Sequence, residues 1–491
     1  MDQAGDSNPV FSDRVKVNGT ETVVTLTATG ELRWTEPTGR QCSLEVQREV
    51  LGFSADGPRI KIRTIIESSH GIYCFGGGGG SPLRKTFVFE PFSDESLRSL
   101  CEKLQGYIDS IGRPKKLFVF VNPFGGRKSA SKIFLDDVKP LLEDANVDFT
   151  LQETKYQLHA KEVAQKLDLK MYDGIVCVSG DGVLVEVVNG LLGREDWNAA
   201  IKMPLGVVPA GTGNGMAKSI LDSAGLPCTA SNAILAIIRG NKRSLDVATI
   251  LQGEQRFFSV LMLAWGLVAD IDIESEKYRW MGAARIDFYA VQRILRLRKY
   301  NGCISFVPAP GFETYGEPSI QKGDYMIDDK YNPSSDESVQ VHQCGYYGPH
   351  VDFENVNWRK IDGPFVSIWL HNVPWGGEDT KAAPNAEFSD GCLDVILIRN
   401  CPLLALLALM TELSNGNHVK SPHVLYLKAK AFVLEPGPRT DDITKEGIID
   451  VDGEVLARGK GTYMSNQKSL MAYEKLQITV DQGLATVFAP V

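Results

Sequence analysis

Gly174-Ile175-Val176-Cys177-Val178-Ser179-Gly180-Asp181-Gly182 begins as an apolar run and ends in two glycines flanking an acid. A short apolar run bounded by glycine predicts a strand buried on both faces, as in a parallel sheet. Val183 to Leu192 then predicts a helix carrying Glu186 and Asn189. Asp181 therefore stands in a loop at the carboxyl end of a strand, where open α/β sheets bind their ligands. The plain alternative is that Asp181 caps the helix it precedes. A cap has no need of glycine on both sides, so we read the loop as functional.

The same strand, loop and helix order extends in both directions. Leu117 to Val121 is an apolar strand, followed by Asn122-Pro123-Phe124-Gly125-Gly126-Arg127 and a helix from Ser129 to about Asp144. A strand near Phe149-Thr150-Leu151 and a helix through Ala160 and Val163 to Leu167 come next. Pro204 to Val208 is a further strand, then Pro209-Ala210-Gly211-Thr212-Gly213-Asn214-Gly215, with helices after Gly215 and after Ser231. This alternation predicts a doubly wound parallel sheet. Glycines in such loops let backbone N–H groups approach a phosphate. The first loop lacks the G-K-[ST] ending of a Walker A motif. The third has G-x-G-x-G spacing, which argues against a nicotinamide site.

The flanks read differently. Thr22 to Ala28, Leu32-Arg33-Trp34, Ile60 to Ile65 and Thr86 to Phe89 predict strands, with a flexible hairpin tip at Gly76–Gly80. Ser93 offers an N-cap to a helix through Leu97, Leu100, Leu104 and Ile108. Strands closed by one helix resemble a pleckstrin-homology-like fold. After Ser244, strands at Phe257–Leu263, Gly302–Val307, Phe365–Leu370, Cys392–Ile398 and Ala429–Leu434 predict an antiparallel sandwich. We expect three units: 1–112, 113–246 and 247–491. Gly311 to Asn357 holds nine acids against two lysines and is expected to be a mobile loop, with Ser334-Ser335-Asp336-Glu337 suited to an acid-directed kinase. Leu403 to Leu413 predicts a helix apolar all round, read as core or as a wall of an acyl-chain pocket.

Composition narrows the function. The 491 residues carry 52 Lys and Arg against 61 Asp and Glu, a net charge of −9, which argues against a general nucleic-acid binder. None of the nine cysteines forms a C-x-x-C pair, so a zinc or thioredoxin motif is not expected and a reduced intracellular chain is. No signal peptide is visible, and Leu403–Met410, the strongest apolar run, falls far short of the roughly 20 residues that span a bilayer.

Taken together, Ser179-Gly180-Asp181-Gly182, the following Glu186 to Leu191, Pro209 to Asn214, Ser244-Leu245-Asp246 and the distal Asp452-Gly453-Glu454 resemble the lipid kinase superfamily of diacylglycerol and sphingosine kinases. Ala264 to Arg279 looks like the sphingosine kinase signature, and the length and N-terminal module resemble the plant-type members. The resemblance implies ATP-dependent phosphorylation of the primary hydroxyl of a sphingoid long-chain base, with Mg²⁺ accompanying ATP and no residue assigned to the metal. It implies Asp181 as general base and Ser179, Gly180, Gly182 and Asp272 at the lipid head group, Asp272 binding the amine. It implies Asn122, Pro123, Phe124, Thr154, Lys155, Tyr156, Gln157, Leu158, Glu186, Gly211, Thr212, Gly213, Arg279, Arg285, Asp452, Gly453 and Glu454 around ATP. Phe124 departs from the pattern: mammalian relatives carry arginine there, so one phosphate contact is missing, or Arg127 or Lys128 substitutes, or Phe124 packs on the adenine.

Lys277 to Lys299 carries seven basic residues against Asp287, interleaved with Trp280, Met281, Ile286, Phe288, Tyr289, Val291, Ile294 and Leu295. A basic amphipathic segment of this kind predicts contact with anionic lipid, through Arg293, Arg296 and Arg298. A core helix whose arginines bind ATP or solvent is the alternative. We expect a cytosolic chain with peripheral membrane association, an endomembrane such as the vacuolar membrane included; a homodimer is left open. Two other functions compete. A ceramide or diacylglycerol kinase is opposed by Asp272, since those lipids lack the amine. A catalytically weak lipid-binding adaptor is opposed by the intact loops. The signature from Trp265 to Arg279 has no place in an NAD kinase.

Overall fold

Apolar strands order the middle of the chain. The computed structural model describes residues 9–66, 83–126, 128–282, 284–319, 345–349, 357–463 and 469–490. Gly76–Gly80, Arg127, Ser334–Glu337, most of the acidic loop and the side chain of Arg279 lie outside the described residues.

The N-terminal strands are β1 (Pro9–Val17), β2 (Thr20–Thr27), β3 (Glu31–Thr35), β4 (Gln41–Glu45), β5 (Val50–Asp56), β6 (Arg59–Ile66) and β7 (Leu83–Pro91). They form one antiparallel sheet in the order β4-β3-β2-β1-β7-β6-β5. Helix α1 (Asp94–Ser110) starts at Ser93, whose hydroxyl accepts from the Ser96 N–H at 3.1 Å, and buries Leu100 and Leu104 against that sheet. Arg113, at the entry to the middle region, reaches back to this module and donates to the carbonyls of Val46, Gln47 and Leu51.

The middle region runs β8 (Lys116–Val121), α2 (Ala130–Ile133), α3 (Lys139–Asp144), β9 (Asp148–Glu153), α4 (His159–Lys166), β10 (Gly174–Ser179), α5 (Asp181–Leu192), α6 (Trp197–Ala200), β11 (Leu205–Pro209), α7 (Gly215–Asp222) and α8 (Ala230–Arg239). Its strands are parallel in the order β9-β8-β10-β11. Apolar clusters cover both faces: α4 and α5 on one, α2, α3 and α8 with Leu51 and Ile65 on the other. The helix expected over 129–144 is interrupted by a π-turn at Phe134–Val138. Pro140 follows it and has no N–H to continue the α pattern.

The remaining elements are β12 (Lys242–Gln252), β13 (Gln255–Ser259), β14 (Met262–Gly266), α9 (Leu267–Glu274), α10 (Ala284–Leu295), β15 (Tyr300–Pro308), β16 (Glu317–Pro318), β17 (Arg359–Asp362), β18 (Ser367–His371), β19 (Leu393–Ile398), α11 (Leu403–Thr411), β20 (Leu425–Arg439), β21 (Ile448–Val451), β22 (Glu454–Arg458) and β23 (Leu476–Phe488). They are mostly antiparallel, but they do not form a separate sheet. β23 pairs parallel with β11 at Val487 and antiparallel with β12 and β20, so one mixed sheet of sixteen strands spans both lobes. The single strand expected over Phe257–Leu263 is two. Val260 and Leu261 break the ladder because their N–H groups serve Asp452 instead. Helix α11 is no core helix: Leu406 and Leu409 are buried, while Leu403 and Leu404 face solvent.

Candidate active site

The parallel order reverses direction at β8 and β10, and the loops after β8, β10 and β11 meet there. They meet backbone to backbone. A Cβ on Gly211 would stand 2.3 Å from the Gly180 Cα, and one on Gly126, at φ +50°, would stand 3.0 Å from the Gly211 Cα. No side chain fits at that crossing, which explains the glycines. The Asn122 Oδ1 accepts from the N–H groups of Phe124 and Gly125, both at 3.1 Å, so this side chain folds its own loop. Pro123 is half-buried, and Phe124 is 60% exposed. The buried Ser179 donates its hydroxyl to the Gly180 carbonyl.

Asp181 caps a helix, but not its own. The N-cap of α5 is Gly180. The Asp181 Oδ2 and Oδ1 accept from the N–H groups of Gly215 and Met216, each at 2.9 Å, at the start of α7. Burial pushes this carboxyl up, the two N–H groups pull it down, and the charge of Asp272 raises it again. A carboxylate fixed at a helix N-terminus is oriented, and its remaining lone pairs can accept a proton. The loop below it is clasped from the C-terminal lobe. Asn214, at φ +56°, accepts from Gly211 N–H at 2.8 Å and donates to Glu378 at 2.6 Å, and the Glu378 N–H donates to the Gly213 carbonyl at 2.8 Å. Thr212 lies at the exposed tip between Gly211 and Gly213. Sequence analysis missed Glu378; the Gly376-Gly377 pair before it was the available signal.

A cavity of about 240 Å³ opens beside this crossing, lined by Gln157, Leu158, Gly182, Glu186, Asn189 and Glu454 among others. Glu186 accepts from the N–H groups of Leu158 and Ala160 at 2.8 and 2.9 Å, supplying α4 with the cap that Leu158, at φ +70°, cannot. Thr154 is buried, its N–H on the Val121 carbonyl; Lys155 and Tyr156 are exposed. Gln157 donates to Glu454 at 2.9 Å. Burial and the charge of Glu186 push Glu454 up to about 7. Gly453 turns the hairpin in the open, and Asp452 points inward. Its carboxylate accepts from Ser259 Oγ and from the N–H groups of Val260, Leu261 and Met262. Asp246 is likewise occupied, accepting from Gly391 and Gly483.

Acids on α9 and the turn after it alternate between two sides. Asp270 and Glu274 turn toward Arg298, at 3.2 and 2.8 Å, with Tyr300 and Tyr289 completing the network. Asp272 and Glu276 turn the other way. There Arg285, buried, pairs with Glu276 at 2.6 Å and lies near enough to draw Asp272 down. Of the three arginines expected to face lipid, only Arg296 is exposed. Arg293 is buried and Arg298 largely so, because α9 supplies acids that compensate them inside the fold. What α10 presents outward is apolar: Phe288, Val291 and Leu295, beside Trp280 at 82% exposed and Leu404 at 78%.

Among the described residues, no group of three or more His, Cys, Asp or Glu side chains is arranged to hold a metal ion.

The chain is similar to known proteins over nearly all its length. Residues 116–250 match the diacylglycerol kinase catalytic domain, and 328–467 match the YegS C-terminal NAD kinase beta sandwich-like domain. Sphingosine kinase 1 of Arabidopsis thaliana is 60% identical over 484 residues, covering 99% of this chain and 97% of that protein. Sphingosine kinase 1 of Homo sapiens is 33% identical, covering 70% and 87%. Ceramide kinase of Homo sapiens is 30% identical, covering 65% and 60%. With glycine loops crossing under Asp181 and this likeness along both lobes, the chain belongs to the sphingosine kinase family of lipid kinases.

Proposed function

We propose that the chain transfers the γ-phosphoryl group of ATP to the primary hydroxyl of a sphingoid long-chain base (sphingosine, sphinganine or phytosphingosine), giving the base 1-phosphate and ADP. One observation carries this reading: Asp181 is fixed at the start of α7 by the N–H groups of Gly215 and Met216, near enough to Asp272 for that acid's charge to raise it. Such a base presents a hydroxyl and an amine on adjacent carbons. Asp181 takes the hydroxyl proton as the oxygen attacks the γ-phosphorus, and Asp272 binds the ammonium. Ceramide and diacylglycerol have no cationic group for Asp272. General-base assistance contributes typically 10²–10⁴-fold; positioning and charge stabilisation do the rest of phosphoryl transfer.

The nucleotide phosphates lie on the N–H groups of Gly211–Gly213 and the Asn122–Gly126 loop, and the adenosine end enters the 240 Å³ cavity beside Glu454. Glu186 and Asp452 serve that site as positioning residues, since backbone donors occupy their carboxylates. Arg285 clamps phosphate after leaving Glu276, with Arg279 its partner in that role. Mg²⁺ would arrive on the nucleotide, since this ion is usually bound by substrate phosphates and few carboxylates.

No helix among the described residues is long and apolar enough to cross a membrane. The outward apolar face of α10, with Leu403 and Leu404, supports peripheral contact with a membrane surface. Beneath it Leu267, Ile294, Val366, Leu406 and Leu409 form an apolar cluster suited to the lipid tail. Units 1–112, 113–246 and 247–491 are the proposed division. The four-strand and three-strand halves of the first sheet, joined at β1 and β7 and packed on α1, favour the pleckstrin-homology-like reading.

The test is label transfer from ATP to sphinganine, 4-hydroxysphinganine, ceramide and diacylglycerol, for wild type and Asp181→Asn. Label on free bases alone, lost in the variant, is expected. Label on diacylglycerol or ceramide would overturn the amine reading, and ATP binding without transfer would favour an adaptor. Circular dichroism of the variant checks that α7, which asparagine can still partly cap, remains folded.

A further inference from the structure

Asp450 has no role in the phosphoryl-transfer site around Asp181. It lies within β21, paired with Ala264 of β14 and Val455 of β22. It is fully buried, and no N–H or hydroxyl donor among the described residues reaches either of its carboxyl oxygens. An ionised carboxylate in that position is costly, and proteins avoid the cost by keeping such a group protonated. Helix α9 packs across β21, and the group it brings to Asp450 is the carboxyl of Asp272, within hydrogen-bonding reach. Two carboxyls in contact do not both ionise; they share one proton and titrate as a pair.

The charged groups facing the pair come from every side. Arg285 of α10 and Glu276 of the turn after α9 face Asp272, as do Asp181 of α5 and Glu454. Asp452 and Glu454 of the β21–β22 hairpin face Asp450. One described cation stands among these acids, and it is already paired with Glu276. Burial holds both carboxyls above the usual carboxylate range, Asp450 well above it. The pair therefore waits for a cation.

We infer that Asp450 is a positioning residue of the amine subsite, forming with Asp272 a one-proton carboxyl pair that releases its proton when the ammonium group of a long-chain base docks on Asp272. The inference rests on the proposed role of Asp272. Charge balances: the pair starts with one proton and a charge of −1. The ammonium replaces the proton, which leaves to solvent, and the occupied pair again sums to −1. Asp450 stays behind Asp272 and touches no substrate. A lipid without an amine cannot displace the proton, so it meets a pair that keeps its shared proton and its charge of −1. The same exchange makes binding of the base compete with protons.

The experiment compares KM and kcat for sphinganine over pH 5.5–8.5 in full-length wild type and Asp450→Asn. In wild type, KM is expected to rise about tenfold per pH unit below the apparent pKa of the pair. The asparagine amide donates to Asp272 and leaves no proton to release, so its KM profile is expected to be flat there, the difference falling on KM and not on kcat. Parallel KM profiles in the two proteins would overturn the inference while leaving the sphingoid-base reading intact. Wild type that labels diacylglycerol and not sphinganine would overturn that reading and the inference with it. Should the variant not fold, calorimetry on wild type in buffers of different ionisation enthalpy decides. Close to one proton released per sphinganine bound at pH 6 supports the pair; none released overturns it.

Discussion

Replacing Asp452 by alanine tests whether the hairpin acid holds the fold or touches the nucleotide. Its carboxylate is 1% exposed and accepts from Ser259 Oγ at 2.9 Å and from the N–H groups of Val260, Leu261 and Met262 at 3.1, 3.0 and 2.6 Å. The serine hydroxyl can turn to another acceptor; the three buried N–H groups cannot. Each donor left unsatisfied costs about 1–3 kcal/mol. Asp452 also sits at φ +52°, where alanine loses about 1 kcal/mol more. The losses do not add in full, because the three donors share one carboxylate, and we expect about 4 kcal/mol. Hydrogen exchange of a peptide spanning 260–262 reads this locally. Opening there becomes about a thousandfold more frequent, and Asp452→Asn, which keeps one acceptor and tolerates the backbone, falls between. Unchanged exchange together with lost ATP affinity would refute the reasoning, because the carboxylate would then serve the nucleotide.

Four further changes separate the roles of neighbouring residues. Gly211→Ala drives a Cβ to 2.3 Å from the Gly180 Cα, and backbone cannot yield as a side chain does; kcat/KM should fall at least about a hundredfold, and activity within threefold of wild type would mean the loops do not touch. Glu454, pushed up to about 7, holds a proton in the folded chain that the unfolded chain releases near its ordinary 4.5, so its contribution to stability is complete below that pH and is lost as pH rises through 7. Glu454→Gln should flatten the dependence of Tm on pH between 5 and 8, and an unaltered slope would count against the shift. Arg298→Ala leaves Asp270 and Glu274 buried without their shared partner and should cost about 3–5 kcal/mol. Phe288→Glu with Leu295→Glu should instead leave Tm near wild type and reduce sedimentation with anionic vesicles. Equal vesicle binding by that double variant would remove α10 as the membrane face.

Where one element decided its own structure, the sequence was legible. The apolar runs at Leu117–Val121, Gly174–Val178 and Pro204–Val208 became parallel strands within a residue or two, because a strand buried on both faces must be continuously apolar. Ser93 became the cap it was expected to be. Structure that depended on distant partners was not legible. The break at Val260 and Leu261 is made by an acid almost two hundred residues away. The arginines of α10 and the segment after it have the spacing of a surface patch. Their partners Asp270 and Glu274 are hidden within the signature that gave Asp272 its role, two residues to either side. The joining of the lobes rests on β23, the last strand of the described chain, which pairs with elements from both.

The acids of the motifs sort by what the fold gives them. Asp181, Glu186 and Asp452 each take two or more N–H groups from a neighbouring loop or helix start, so each fixes a piece of backbone where a phosphate or lipid head group must be met. Of these, Asp181 alone also stands in the field of the acid proposed for the amine. A hydroxyl oxygen brought between those two fields would meet a proton acceptor on one side, while its ammonium is held on the other. Asp450 receives no donor among the described residues, in a strand where valine or isoleucine would pack without cost. A fold that satisfies Asp181, Glu186, Asp246 and Asp452 from its own backbone and leaves one buried carboxyl to share a proton with Asp272 has placed that proton where a docking cation can displace it. Selectivity for an amine over a neutral head group then follows from charge exchange inside the protein, before any contact with the rest of the lipid.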